Sequence, residues 1–187
     1  MTLYLVYHTE PDDYFQDKHT SYHLDKEDAE KEYNALINDR EQFRAKRIAA
    51  GHTSNEWDGM DGDGYEIGME EKEVPDGTKY CLEQYAVSHN TIPDTIHSKT
   101  YYHETLEDIQ ESLEDFMFRM KDKGYIVLSI TGVARWLGGD LDKYWIRDGE
   151  FFHIHPLTSD EEIELKPSEK LMKIIEEDKK KLQDYIV

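Results

Sequence analysis

A succession of strand, strand, helix and strand occurs twice along this 187-residue chain, and it restricts the chain to a mixed fold. In the first copy, two β-rich segments precede a helical pattern that starts near Lys26, and a further strand is predicted at 65–74. In the second copy, the same order of elements is predicted between 80 and 133. Residues 22–28 align with 102–108 at an offset of 80 and share Tyr, His, Glu and Asp. The recurring order therefore favours a duplicated ββαβ unit.

Local signals place the helices and one further hairpin. Asp25, Thr105 and Ser168 each stand where a helix begins, because acidic residues follow them and their side chains are favourable N-caps. Residues 125–133 form the most apolar predicted strand, which we expect at the centre of a sheet. Asp148 and Gly149 separate two strand-like segments, a pattern that predicts a two-residue β-hairpin.

We therefore predict an α+β fold in which antiparallel sheet is packed by about three helices. Residues 1–77 would hold the first ββαβ unit with an acidic loop. Residues 78–187 would hold the second ββαβ unit, the β-hairpin and a C-terminal helix. The same elements are also compatible with one continuous domain.

The charge balance excludes several classes of partner. The chain carries 42 acidic and 22 basic residues, a net charge of −20. A surface of this sign repels nucleic acid and anionic membranes and attracts basic surfaces, so we predict no direct contact with nucleic acid. No run of about 18 apolar residues occurs, which predicts no membrane-spanning helix. Cys81 stands alone, which argues against a disulfide framework and fits a reducing, cytoplasmic setting.

The acids are densest in residues 51–76, where nine acidic residues accompany a single base, Lys72. Carboxylates spaced by about 5 to 7 Å on strands and helices approximate one edge of the phosphate lattice of duplex DNA. We expect a basic partner to contact this stretch and a second acidic patch further along the chain. The predicted contact residues are Asp58, Asp61, Asp63, Glu66, Glu70, Glu71 and Glu73, with Asp160, Glu161 and Glu162 in the second patch.

Two patterns raise the alternative of a metal site. Asp61, Asp63 and Glu70 fall at positions three, five and twelve of a calcium-loop pattern, but position one is Gly59, which has no carboxylate. His153 and His155 alternate along a predicted strand, so both would face one way about 6.6 Å apart. With a carboxylate from elsewhere, these two histidines would be candidates for metal ligands.

Catalytic motifs do not stand out in this sequence. Cys81 lies inside a predicted strand, where it is expected to be part of the core. No nucleophile-elbow, Walker or dinucleotide-binding string occurs. We therefore expect a protein that is not an enzyme and that needs no cofactor.

These features resemble, in type and not through a shared motif, the anti-CRISPR and anti-restriction proteins of phages and mobile elements. Such proteins are small, strongly acidic and built from short strands and helices. The resemblance implies an inhibitor that occupies the basic DNA-binding channel of a defence nuclease, most specifically a guide-RNA-loaded CRISPR effector. Two alternatives remain open, a metal-binding module or metal-dependent enzyme using His153 and His155, and an acidic adaptor whose charge serves solubility alone.

Overall fold

The structure, a computed structural model, describes residues 1–11, 16–53, 65–88, 94–138, 145–159 and 161–184. The chain divides into two compact units, Met1–Gly77 and Thr78–Val187. Within the described residues there are three helices and two antiparallel sheets, one of three strands and one of five. The predicted α+β class is therefore confirmed.

The first unit is a three-stranded sheet with one helix. Its elements are β1 (Thr2–Pro11), β2 (Gln16–His23), α1 (Lys26–Ala49) and β3 (Glu66–Glu73). The strand order is β2-β1-β3, so β1 is central and β3 lies at an edge. Asp25 caps α1 as predicted, since its carboxylate accepts hydrogen bonds from the backbone N–H groups of Glu27 and Asp28.

Helix α1 is long but contributes little buried surface. It spans 24 residues, and Ala29 is the buried residue among them. Ile48, near its C-terminal end, is 60% exposed. None of the helices in the described ranges combines the length and the apolar character needed to cross a membrane.

A close approach between β1 and β3 depends on a glycine. Tyr7 is paired with Gly68 across the two strands. A Cβ atom placed on Gly68 would overlap the Tyr7 ring, so the ring occupies the space that a side chain at position 68 would need.

The second unit is a five-stranded sheet of order β5-β4-β8-β7-β6, with two helices. Its elements are β4 (Tyr80–Ser88), β5 (Asp94–His103), α2 (Leu106–Asp122), β6 (Ile126–Ser129), β7 (Gly132–Gly138), β8 (Trp145–Pro156) and α3 (Glu169–Asp184). Thr105 caps α2 and Ser168 caps α3, each by accepting a hydrogen bond from a backbone N–H three residues on.

Helices α2 and α3 bury one face of this sheet. Leu82 and Ile154 from the two central strands pack with Leu113 of α2 and Leu171 of α3 in one apolar cluster. Because side chains alternate along a strand, the neighbours of Leu82 and Ile154 in sequence, Cys81 and His155 among them, lie on the opposite face of the sheet.

The predicted duplication holds for the order of elements and differs in strand pairing. In the first unit, β3 pairs directly with β1. In the second unit, β6 follows α2 but lies at the sheet edge, and β8 occupies the place beside β4 instead. Strand β8, which follows the repeated elements in sequence, therefore takes the place beside β4 that β3 takes beside β1.

The single central strand predicted at 125–133 is wrong. The segment is a tight hairpin in which β6 and β7 are joined at Ile130 and Thr131. The Ser129 hydroxyl accepts a hydrogen bond from the Thr131 N–H at 3.1 Å and stabilises this turn. The segment is apolar because helices cover an edge strand, and not because the strand is central.

The two-residue hairpin predicted at Asp148 and Gly149 is also wrong. Both residues lie inside β8, which runs without interruption for 12 residues. Gly149 is paired with Val87 of β4 on one side and with Ala134 of β7 on the other. A turn at this point would remove pairing on both sides, so the long-range ladder overrides the local turn signal.

A buried carboxylate accepts a hydrogen bond from the backbone of the edge strand β6. Asp178 of α3 accepts a hydrogen bond from the Val127 N–H at 3.0 Å and forms an ion pair with Lys121 of α2. The backbone N–H of an edge strand points away from the sheet and needs a partner once it is buried. Asp178 supplies that partner and joins both helices to the edge of the sheet.

Candidate functional site

Four glutamates of the predicted contact set lie along the edge strand β3. Glu66, Glu70, Glu71 and Glu73 are all exposed. Glu71 and Glu73 project from one face of the sheet and Glu66 and Glu70 from the other, because side chains alternate along the strand. Glu71 and Glu73 are two residues apart, about 6.6 Å, which is within the spacing predicted for a phosphate-like array, whereas Glu66 and Glu70 are four residues and about 13 Å apart.

Two of these glutamates have partners inside the first unit. Lys26 Nζ donates to Glu71 Oε1 at 2.8 Å, and the Thr2 hydroxyl donates to Glu73 Oε1 at 2.7 Å. The hydrogen bond and the charge of Glu71 raise the pKa of Lys26 above its usual range. Glu71 is therefore partly neutralised, and Glu66, Glu70 and Glu73 supply most of the negative charge of this strand.

The first unit carries a larger share of the net negative charge than its share of the chain length. Residues 1–77 hold 20 acidic and eight basic residues, a net charge of −12 out of the chain total of −20. The strand edge formed by Glu66, Glu70, Glu71 and Glu73, called the β3 acidic edge below, belongs to this unit.

The remaining acidic residues of the predicted set fall in two groups. Asp58, Asp61, Asp63 and Asp160 lie outside the described residues. Glu161 and Glu162 are exposed and follow β8 in the second unit.

The calcium-loop alternative fails where the structure describes it. Glu70, the twelfth position of that pattern, lies within β3 and is followed by further strand residues. An EF-hand requires an exiting helix at this point.

His153 and His155 share one face of β8, as predicted, but they have different partners. His153 is exposed, its Nδ1 lies 3.1 Å from Glu162 Oε1, and its ring packs edge-on against Tyr85. His155 is 14% exposed and faces Cys81 and Glu83 of the neighbouring strand. The structure therefore does not bring the two histidines together in one donor set.

Cys81, Glu83 and His155 form a compact cluster of three different donor types. Cys81 Sγ lies 2.8 Å from His155 Nε2, and Glu83 Oε2 lies 3.7 Å from the same nitrogen. Their ligand atoms all lie within 4.8 Å of one another. The β4–β8 register positions them, since Cys81 is paired with His155 while Glu83 follows two residues along the same face.

Two members of this cluster escaped the sequence analysis. Cys81 was expected in the core, and it is buried, but its contact with a histidine 74 residues away was not predicted. Glu83 gave no separate signal among 42 acidic residues. Cys81 and Glu83 alternate along one predicted strand and His153 and His155 along another, but the sequence did not predict that these two strands pair.

The other face of the same sheet carries a pocket of about 160 Å³ under α2. Its walls are largely apolar, with Tyr101, Phe116 and Phe152, and polar groups come from Gln84, His103 and Arg119, among others. Burial lowers the pKa of His103, although the charge of Asp108 opposes that effect. His103 is thus held towards its neutral form at this pocket.

Comparisons with other proteins give no relative for this chain. No protein-family model matches it, and no match was found among curated proteins or among solved structures.

Proposed function

We propose that this protein is a non-enzymatic, cytoplasmic inhibitor that binds the basic DNA-binding channel of a bacterial defence nuclease. The most specific form of the proposal is an anti-CRISPR protein that occupies a guide-RNA-loaded effector and blocks target DNA. The observation that carries it is the β3 acidic edge, with four exposed glutamates along one strand in a unit of net charge −12.

The geometry of an edge strand suits a groove. Among the strands that the structure describes, β3 pairs with β1 alone, and we infer that a partner approaches its other side. Carboxylates project from both faces of this strand and so present negative charge to two walls of a channel at once. Duplex DNA presents its phosphates to Arg and Lys of such a channel in a similar way, at one charge per roughly 1.7 Å of axis.

Charge also determines how the complex would form. A strongly acidic ligand is steered toward a basic groove at low ionic strength, and screening weakens that attraction as salt rises. We therefore expect the partner to be a DNA-binding protein and the complex to be salt-sensitive. Cleavage of target DNA should fall as the inhibitor concentration rises.

The first test is capture from bacterial lysate with tagged protein at about 50 mM and about 300 mM salt, with mass spectrometry of the bound proteins. We expect a nuclease or another DNA-binding protein at low salt and its loss at high salt. Cleavage assays with purified guide-loaded effectors then measure inhibition directly.

A charge variant tests the β3 acidic edge itself. Glu66, Glu70 and Glu73 are changed together to Gln, and the control changes Glu164, Glu176 and Glu177, which are exposed in the second unit. Both variants lose three negative charges. We expect at least about tenfold weaker binding for the first and little change for the control. Equal binding by both variants, or the absence of any salt-sensitive DNA-binding partner, would refute the proposal.

A further inference from the structure

We propose that Cys81, Glu83 and His155 bind one divalent cation with the preferences of Zn²⁺. This site belongs to the second unit and uses none of the residues of the β3 acidic edge. It is therefore independent of the inhibitor function, and its test can fail or succeed separately.

The three donors have the chemistry that zinc selects. Zinc sites in proteins are built from cysteine sulfur, histidine nitrogen and carboxylate oxygen, and one of each is present here. Bond lengths of about 2.0 to 2.3 Å in a tetrahedron place two donor atoms roughly 3.5 Å apart. The Nε2–Oε2 distance of 3.7 Å already fits, and the Sγ–Nε2 distance of 2.8 Å needs to widen by less than about 1 Å.

One ring nitrogen of His155 has the kind of backbone partner that metal-binding histidines have. His155 Nδ1 lies 3.1 Å from the Pro156 carbonyl oxygen. A proton on Nδ1 donates to that carbonyl, which leaves Nε2 as the nitrogen that would bind the cation. Cys81 Sγ lies 2.8 Å from Nε2 and 3.4 Å from Nδ1, so the ring has to turn for the Nε2 lone pair to face a cation held by Cys81. Histidine ligands almost always donate their other ring N–H in this way, because the bond fixes both the tautomer and the ring orientation.

The carboxylate of Glu83 is also held by its surroundings. The Tyr85 hydroxyl donates to Glu83 Oε2 at 2.9 Å. A hydrogen bond of this kind limits the rotation of a carboxylate and keeps it directed at the site. The matched positions on two paired strands fix the backbone beneath all three side chains.

Burial gives the site a physical reason to hold a cation. Cys81 is fully buried, and the side chains of Glu83 and His155 are 12% and 14% exposed. A carboxylate in so little water is stabilised by hydrogen bonds and by positive charge, and a divalent cation would add such a charge and bind the Cys81 sulfur as a thiolate. The small remaining exposure at Glu83 and His155 leaves a path by which the ion enters.

Three protein donors leave a fourth coordination position for water or a small ligand. His153 does not complete the set, since it is directed at Glu162 and Tyr85. Zinc sites with three protein ligands and one exchangeable position are those that bind a further ligand, whereas purely structural sites use four protein ligands.

The experiment is a titration of chelator-treated, full-length protein with Zn²⁺ and Co²⁺. We expect one equivalent per chain, with a dissociation constant below about 1 μM. Cobalt should give a thiolate charge-transfer band and the intense visible bands of a tetrahedral site. Zinc should raise the melting temperature of the wild type, because it binds the folded state.

Substitution of each proposed ligand tests whether that residue binds the metal. Cys81→Ala, Glu83→Gln and His155→Gln should each weaken binding at least tenfold, and Cys81→Ala should abolish the charge-transfer band. His153→Gln is the matched control on the same strand and face, and it should bind as the wild type does. Circular dichroism of each variant verifies folding, and Glu83→Gln retains the shape of its side chain if the other two fail to fold.

Either of two results would refute the proposed zinc site. One is the absence of stoichiometric zinc binding to the reduced wild-type protein. The other is binding that survives Glu83→Gln and His155→Gln but is lost in His153→Gln, which would move the ion to the His153–Glu162 pair.

Discussion

Asp178 illustrates how a single buried charge is made tolerable. The Val127 N–H and Lys121 both bond to its carboxylate, and Lys181 lies 3.5 Å away on its exposed side. Each partner offsets part of the cost of removing the carboxylate from water. The same residue therefore supports the β6 edge and the packing of α2 and α3.

Removing the Asp178 carboxylate should lower the free energy of unfolding substantially. Asp178→Ala leaves the Val127 N–H without an acceptor and Lys121 without its ion pair, so we expect a loss of about 3 kcal/mol in the free energy of unfolding. Urea titration measures it. Lys181→Met removes only the exposed lysine and should cost less than about 1 kcal/mol. A change below about 0.5 kcal/mol in Asp178→Ala would contradict this account.

At the scale of elements, one small residue of α1, Ala29, is fully buried. Most of the helix is exposed or half-buried. Ala29→Leu should lower the free energy of unfolding by about 1 to 3 kcal/mol, because the added methyl groups have no space. Ala35→Leu, an exposed site in the same helix, should change it by less than about 0.5 kcal/mol. Equal effects at both positions would mean that the helix can shift to accommodate the larger side chain.

The start of α3 depends on a carboxylate from α2. Glu114 Oε1 accepts hydrogen bonds from the Ser168 N–H at 2.8 Å and from Gln110 at 3.1 Å. Burial raises the pKa of Glu114, but these hydrogen bonds outweigh it, and the net effect is a pKa below its usual value of 4.5. Because the folded-state pKa is depressed, the resulting stability is present above the unfolded pKa and is lost as pH falls through the folded one.

This sign gives a pH test. From about pH 6 down to about pH 3, the advantage of the wild type over Glu114→Gln in urea unfolding should shrink. Glu111→Gln, one turn away and exposed, serves as the control. An advantage that grows on acidification would show that the neutral form of Glu114 makes the important contacts.

Local chemistry explains which elements the sequence predicted well. The caps at Asp25, Thr105 and Ser168 act within three residues, so the helix starts were visible without knowledge of the fold. The turn at Asp148 and Gly149 was predicted by an equally local signal and was wrong, because pairing with two distant strands decides that segment. The Cys81–His155 contact escaped prediction for the same reason, since only the β4–β8 register creates it.

Across the whole molecule, the net charge of −20 should oppose folding at low ionic strength. Like charges repel more strongly in the compact chain than in the unfolded one, and salt screens this repulsion. We expect the melting temperature to rise between about 10 mM and about 200 mM sodium chloride, as measured by calorimetry. The variant lacking Glu66, Glu70 and Glu73 charges should show a smaller rise. A fall in melting temperature would mean that ion pairs such as Lys26–Glu71 dominate instead.

The Tyr7 ring occupies the space that a side chain at position 68 would need, and this should affect how the two positions evolve. A side chain at 68 requires the Tyr7 ring to move, and a smaller residue at 7 leaves a gap, so we expect changes at the two positions to be coupled. Homologous sequences should therefore show correlated exchange at these two positions. A lineage that loses the tyrosine would be free to acquire an alanine or a β-branched residue opposite it.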